Sequence, residues 1–239
     1  MNITVDPRFC VKPGNGGYTF DGKPLTRISS ISNVIDKPAL VPWAVRLAVE
    51  HLQEHPLDFS GATRAHADYF NSRAAFGTSS HAMLEAYINR CIKENNGEPI
   101  EPETNPFSQV WQTWKHATDN KWTFLATETP VYDEEYMIGG RFDFLYKTQD
   151  VYGVGDFKNY KKIRNKAPLM QMSAYAYCTS KMSGVKIIES TVLRFSPLEN
   201  VEIVVSQDLD NDFLNFTRAL GLQRYGVTHS YTDGIWKNT

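Results

Sequence analysis

The stretch "YGVGDFKNYKK", residues 152–162, ends an uncharged run with an aspartate and a lysine, Asp156 and Lys158. Because alternate side chains of a strand point to the same face, these two groups are expected to lie side by side. A salt bridge at the edge of a strand explains such a pair. A metal ligand next to a catalytic lysine explains it as well, provided that other acids reach the same place.

"IGGRFDFLYK", residues 138–147, contains one such acid, Asp143, among phenylalanines and a leucine. The two glycines before it would allow another backbone or a ligand to approach closely. Strands rarely contain aspartate and burying a bare carboxylate is costly, so Asp143 is either exposed or paired with a cation. If the strands pair through the turn "TQDVYG", residues 148–153, Asp143 lies beside Asp156, which is destabilising unless a cation lies between them. Carboxylates with a histidine suit magnesium or manganese better than zinc.

His81 and Glu128 are further candidates for the same site. In "GTSSHAMLEAYINR", residues 77–90, His81 and Glu85 are four positions apart and share a helix face. A lone helical histidine is more often a cap, a core residue or a surface residue than a ligand. Glu128, in "ATETPVY", is explained equally well as the solvent-facing residue of an alternating strand.

The order of the predicted elements indicates an α/β protein with a helical N-terminal portion. Residues 1–27 predict turns and at most one short hairpin. Beyond Trp122, β-branched and aromatic runs separated by polar turns predict three consecutive antiparallel strands. Ser29 or Ser30 is expected to cap a first helix that Pro38 interrupts, and a second helix carrying Trp43, Leu47 and Leu52 is expected to continue. The further predicted helices cover about 61–75, 77–95, 106–120, 167–183 (ended by Gly184) and 208–225, and the predicted strands cover about 122–132, 136–147, 151–158, 185–196 and 201–207.

Composition excludes several classes of protein. The chain has 239 residues, a formal net charge of −2 and no apolar run that would span a bilayer. The start, "MNITVDPRFC", lacks the pattern of a secretion signal, so we expect a cytoplasmic protein. Cys10, Cys91 and Cys178 are too few and too scattered for a disulfide framework or a zinc site. The sequence contains no P-loop, GxSxG or dinucleotide fingerprint, so other enzyme classes have no positive support.

Several motifs together resemble the PD-(D/E)XK nuclease superfamily, specifically its RecB-like exonuclease branch. "GGRFDFLYKTQDVYGVGDFKNYKK", residues 139–162, is similar to the catalytic centre: a glycine-led strand ending in aspartate, a hairpin, and an apolar strand ending in D-x-K. "GTSSHAMLEAY" (77–87) and "QMSAYAY" (171–177) resemble the upstream helix and the downstream Q-x-x-x-Y helix. "DKPALVPWAVRLA" (36–48) is similar to the N-terminal helix of phage-encoded and mitochondrial genome maintenance-type exonucleases. The resemblance covers roughly residues 28–196, with its motifs in the expected order.

The resemblance implies a restriction-endonuclease-like core with a central mixed sheet flanked by helices. It predicts one nuclease domain over residues 1–239. Its mostly helical N-terminal portion would comprise residues 1–76, its catalytic core residues 77–206, and its C-terminal helix and tail residues 207–239.

The resemblance also implies a Mg²⁺ or Mn²⁺ site and assigns roles to single residues. The metal ligands would be His81, Asp143, Asp156 and the backbone carbonyl of Phe157. The catalytic residues would be Lys158, Asp156, Asp143 and Glu128, and Gln171 and Tyr175 would contact the phosphate backbone or support the site.

Two departures from the family pattern are informative. Asn159 stands where many relatives have threonine. This departure puts in doubt only a contact with the substrate or a contact that supports the site. The chain lacks the four cysteines that hold an iron–sulfur cluster in CRISPR-associated and helicase-linked relatives, so we expect a cluster-free member.

"KNYKKIRNK", residues 158–166, is the most basic stretch of the chain. A solvated lysine-rich turn would explain it in isolation. Beside a site that cleaves phosphodiesters, we interpret Lys161, Lys162 and Arg164 as residues that follow the phosphate backbone.

The expected function is therefore that of a metal-dependent deoxyribonuclease. The resemblance favours an exonuclease that acts on single strands or duplex ends in replication, recombination or repair, with proteins of those processes as partners. Its expected setting is the cytoplasm of a bacterium or of a phage-infected host. The alternatives are a structure-specific endonuclease similar to junction resolvases, and a non-catalytic nucleic-acid-binding protein with the same fold.

Overall fold

The chain forms two compact units. The larger comprises Met1–Ile35 and Met83–Thr239, and the smaller comprises Asp36–Ala82. The domain boundaries expected from the sequence stay predictions. The computed structural model describes residues 3–14, 17–34, 40–149, 151–159, 166–196, 199–232 and 235–238.

The smaller unit consists of helix α1, Leu40–Glu54, and the first part of helix α2, Phe59–Glu94. Aromatic rings join the two helices: the Trp43 ring meets Tyr69 and Phe70 edge-on, with centroid distances of 5.4 and 5.0 Å. These ring contacts pack α1 against α2 within the smaller unit.

Helix α2 is continuous where the sequence predicted two helices at about 61–75 and 77–95, so that prediction was wrong. Gly77 lies inside the helix and does not interrupt it. A single interior glycine costs only about 1 kcal/mol of helix stability, which the flanking turns offset.

The larger unit contains a mixed sheet of eight strands in the order β1-β2-β3-β5-β6-β7-β8, with β4 paired to β5. The pairs β3–β5 and β6–β7 are parallel, and the other pairs are antiparallel. The predicted three-stranded meander is β4, β5 and β6. The strands are β1 Phe9–Val11, β2 Tyr18–Phe20, β3 Lys23–Arg27, β4 Trp122–Asp133, β5 Ile138–Thr148, β6 Val151–Lys158, β7 Glu189–Ser196 and β8 Glu199–Ser206.

Helices cover both faces of this sheet. One face packs on α4, Ala167–Ser183, and on α5, Leu209–Thr228, through residues that include Leu145 and Val154. The other face packs on the end of α2 and on α3, Gln109–Asp119, through residues that include Phe144. The fold class predicted from the sequence, a mixed sheet flanked by helices, is therefore confirmed.

The ends of the described chain add detail that the sequence did not predict. The strands β1 to β3 extend the main sheet, where at most one hairpin was expected. A 3₁₀ helix, Ile28–Asn33, follows them, where the sequence predicted a helix capped by Ser29 or Ser30; the residue that precedes its first turn is Arg27. Two short strands, β9 His229–Thr232 and β10 Ile235–Asn238, form a separate hairpin after α5. None of the described helices combines the length with the apolar character that a membrane span requires.

Strand β5 is the element that positions the site. β4 pairs along its whole length, so β3 and β6 must share its other edge. β3 pairs with residues 138–139 and β6 with residues 144–148, so residues 140–143 lie at a fork between two partner strands. Asp143 stands at the point where β5 and β6 diverge.

Candidate active site

Three acids lie at neighbouring positions of β4, β5 and β6. The strand pairs on either side of Glu128 place it opposite Asp143. The register of β5 with β6 ends at Phe144 and Gly155, one step before Asp143 would meet Asp156. The predicted neighbourhood of Asp143 and Asp156 thus follows from the strand register, and Glu128 extends it by one strand.

Asp143 faces both of its neighbours. One of its carboxylate oxygens and one of Glu128 lie within 4.8 Å of each other. Its Oδ2 also accepts a hydrogen bond of 2.6 Å from the backbone N–H of Phe157 in β6. That bond fixes the carboxylate at the fork, where like charges favour a bound cation.

Asp156 and Lys158 form a buried ion pair on one face of β6. Lys158 Nζ lies 2.5 Å from Asp156 Oδ2, and the two side chains are 16% and 4% exposed. Separating the partners of such a pair would leave an uncompensated buried charge, which is costly. Each side chain therefore holds the other in place. The alternation of the strand brings them together, as the sequence indicates.

Glu128 has an unusual backbone and a cationic partner. Its φ of +44° lies in a region that residues other than glycine seldom adopt, and it does so inside a strand. Its Oε2 lies 2.7 Å from Nε of Arg141, a side chain that is 54% exposed. No sequence motif pointed to Arg141, although it stands only two residues before Asp143.

The alternation of faces is broken at Asp143. Phe142 is buried against the α4 side of the sheet, whereas Phe144 is buried against the α2 and α3 side. In a regular strand these two residues would share a face. Such an irregularity re-aims a side chain, and here it lies opposite the positive φ of Glu128.

Gln171 and Tyr175 on α4 are buried beside this site. Gln171 Nε2 donates a hydrogen bond of 3.3 Å to the Tyr175 hydroxyl. Burial, and to a smaller extent the charge of Asp156, raises the pKa of Tyr175 far above its usual value, so the hydroxyl keeps its proton. Their burial favours support of the site over direct contact with a long nucleic acid.

Gly140 makes room for a side chain. A Cβ at this position would lie 2.6 Å from Cε1 of Tyr175, which no real contact allows. The sequence suggested the approach of a backbone or a ligand to the glycine pair. The structure brings an aromatic ring of α4 there instead.

A second basic residue lies next to Lys158. The register pairs Lys158 with Arg194 of β7, and Arg194 with Glu202 of β8. Arg194 is buried, and its Nε lies 2.5 Å from Glu202 Oε2. This neighbour was missed because nothing in the sequence gives the register of a parallel strand pair.

The remaining predicted residues have the following positions. Asn159 Oδ1 accepts a hydrogen bond of 3.1 Å from Gln109, which ties the end of β6 to α3. The Phe157 ring is buried against Phe144, and a ligand role for the Phe157 carbonyl stays a prediction. His81 lies on α2 in the smaller unit, and its ligand role also stays a prediction. Lys161, Lys162 and Arg164 lie outside the described residues.

The order of the elements agrees with the family resemblance. A helix, an antiparallel meander carrying Asp143 and the D-x-K pair, the Gln171 helix and a parallel return strand follow one another. This is the order of elements that the resemblance to PD-(D/E)XK nucleases predicts.

No protein-family model matches the chain, and no curated protein matches it either. Solved structures that are similar to it include the following three. The protein SSO0001 is 15% identical, with 83% of this chain and 76% of that chain covered and a TM-score of 0.40. A candidate exonuclease from Eubacterium rectale is 11% identical, with coverages of 67% and 71% and a TM-score of 0.37. An alkaline exonuclease from Laribacter hongkongensis is 9% identical, with coverages of 85% and 91% and a TM-score of 0.35.

Proposed function

We propose that this protein is a divalent-metal-dependent nuclease. The observation that carries the proposal is the row of acids Glu128, Asp143 and Asp156 across three adjacent strands, with Lys158 paired to the last of them. Hydrolysis of a phosphodiester needs charge stabilisation for the phosphate and an activated water. A cation bound by the acids would activate the water, and the neighbouring lysine would stabilise charge on the phosphate.

The donor atoms fit Mg²⁺ or Mn²⁺. Glu128 and Asp143 offer carboxylate oxygens within 4.8 Å of each other, and such hard oxygen ligands suit these ions. The proposed ligands are Asp143, Asp156, the Phe157 carbonyl and His81, with Glu128 at the edge of the set. A divalent ion held there would supply an acidified water and neutralise developing negative charge.

The chain's own residues would act on the phosphate. Asp156 holds the Lys158 ammonium in place, which prepares it to meet an oxygen of the transition state. Protonated Tyr175 adds no negative charge beside Asp156, and Gln171 fixes the tyrosine hydroxyl. The Phe157 N–H orients Asp143.

The proposed substrate is DNA, and the proposed mode is exonucleolytic, acting on single strands or duplex ends. The family resemblance and the basic stretch 158–166 support this finer statement. Replication, recombination or repair would be the setting, with proteins of those processes as partners.

The test is the degradation of oligonucleotides labelled at the 5′ or the 3′ end. DNA and RNA, single-stranded and duplex, are incubated with Mg²⁺, Mn²⁺ or EDTA. We expect metal-dependent cleavage by the wild type and a loss of about a thousandfold or more in Lys158→Ala. The label pattern separates stepwise degradation from internal cutting.

The matched control is Lys115→Ala, whose lysine pairs with Asp119 at 2.8 Å on the exposed side of α3. It should cleave like the wild type, and circular dichroism should show that both variants are folded. Wild-type rates in Lys158→Ala would remove the lysine from the mechanism. A folded wild type that binds these substrates but cleaves none would favour the non-catalytic binding protein.

A further inference from the structure

Arg141 lies at the site and has no role in the reaction proposed so far. It stands on β5, two residues before Asp143, and its Nε is 2.7 Å from Oε2 of Glu128. The Arg141 side chain is 54% exposed, whereas the Glu128 side chain is 21% exposed. The guanidinium is thus open to solvent at the edge of the acid row.

An ordinary surface ion pair does not explain this arrangement. Exposed pairs contribute little to stability, whereas a positive φ such as the +44° of Glu128 persists only where the surroundings impose it. The strained residue keeps a carboxylate oxygen within 4.8 Å of one of Asp143 while it also meets Arg141. Glu128 is therefore shared between the acid row and the arginine.

We infer that Arg141 is a second cation of the site, which competes with the metal ion for Glu128 and contacts a phosphate of the substrate. This inference rests on the proposed nuclease function. A guanidinium offers five N–H donors in a planar fork, and one carboxylate oxygen occupies only part of it. Arginine is the side chain best suited to a phosphate in such a position.

Lys158 does not fill the same role. Its ammonium is 16% exposed and paired with an aspartate that is almost fully buried, so it stays beneath the phosphate that it serves. Arg141 is accessible and pairs with an acid on the outer strand of the three. The two cations would therefore approach the phosphate from different strands.

Two binding measurements on Arg141→Gln should change in opposite directions. Titration calorimetry should show tighter Mn²⁺ binding, on the order of tenfold, because a cation next to Glu128 has been removed. Fluorescence anisotropy of a labelled single-stranded DNA, in a Lys158→Ala background with Mn²⁺, should show weaker binding by about threefold to tenfold. The slope of log affinity against log salt should fall by about 0.7, the value for one lost phosphate contact on a single strand.

Arg8→Gln is the matched control. Arg8 is also 54% exposed and pairs with an acid, Asp6, at 2.9 Å, but it lies next to β1, an edge strand of the sheet that does not pair with β4, β5 or β6. It should leave both affinities unchanged. Arg141→Lys should keep wild-type metal affinity and only part of the DNA affinity, because lysine retains the charge without the fork.

Opposite shifts confined to Arg141 support the inference. Unchanged DNA affinity, or metal and DNA affinities that fall together as in local unfolding, would overturn it. If the wild type cleaves and Arg141→Gln binds like it, only this inference fails. If the wild type cleaves nothing, the proposed function fails, and the inference fails with it.

Discussion

Two buried aspartates of the sheet each hold a lysine, but they differ in what surrounds them. Asp156 and Lys158 are 2.5 Å apart in β6. Asp133 at the end of β4 and Lys181 on α4 are 2.6 Å apart, and the Asp133 side chain is 0% exposed. The chemistry of the two pairs is the same, so the pair alone cannot define a catalytic site.

The Asp133 pair serves the fold. Its second oxygen accepts a hydrogen bond of 2.6 Å from the N–H of Tyr136, which closes the turn between β4 and β5. Lys181 also reaches Glu135 at 3.3 Å, so two acids share one lysine. Both oxygens of the Asp133 carboxylate thus have partners within the protein.

The Asp156 pair lies in a row of acids instead. Asp143 and Glu128 occupy the next strand positions, and their charges accumulate at one point. Stability alone does not select such a row, because adjacent like charges repel each other. The lesson is that an aspartate–lysine pair indicates function where further acids converge on it.

Replacing each aspartate in turn tests whether the two pairs differ in function. Asp156→Asn should weaken Mn²⁺ binding by more than about tenfold, because it removes a proposed ligand. Its free energy of unfolding should fall as well, by about 1–2 kcal/mol, because Lys158 loses its partner and relief of the repulsion with Asp143 offsets only part of that loss. Titration calorimetry and urea unfolding measure the two effects.

Asp133→Asn should lower stability without changing metal binding. We expect its free energy of unfolding to fall by about 2 kcal/mol, because a buried ion pair at a turn is lost. Its Mn²⁺ affinity should match that of the wild type. Equal effects of the two substitutions on metal binding would show that the acid row has no special role.

Much of this arrangement could be predicted from the sequence, because short-range patterns determine it. Alternation along β6 puts Asp156 and Lys158 on one face, and the turn after β5 sets the antiparallel register. The helix end at Gly184 was also predicted, and this glycine has the expected left-handed φ of 70°.

The rest depends on long-range register and on local irregularity. Glu128 contacts Arg141 from a backbone with a positive φ. A glutamate in the sequence gives no sign of such a φ. Arg194 lies beside Lys158 only because β7 pairs in parallel with β6, across the whole of α4. Regular strand alternation also cannot place Phe142 and Phe144 on opposite faces.

A smaller effect tests how α4 is held against the site. Gly140→Ala would place a Cβ 2.6 Å from the Tyr175 ring and push that ring away. We expect a loss of about 1–3 kcal/mol in the free energy of unfolding, as for other overpacked sites, and slower cleavage. Thermal and urea unfolding measure the loss. In a Tyr175→Ala background the same substitution should cost much less, and additive losses would contradict the contact.

The smallest effect concerns the pH dependence of the structural pair. The hydrogen bond to Asp133 raises the pKa of Lys181 above its ordinary value of 10.5. A lysine with a raised folded-state pKa stabilises the fold fully below the unfolded value and loses that contribution as the pH rises through the folded one. The difference in unfolding free energy between the wild type and Lys181→Met should therefore stay constant from about pH 7 to about pH 10 and shrink above that. Because nearly half of this side chain is exposed, we expect the part of this difference that changes with pH to stay below about 1 kcal/mol. Urea unfolding across this range measures it, with Lys115→Met as the exposed control. A difference that grows above pH 10.5 would contradict the sign, and the Asp133 pair would then need another account.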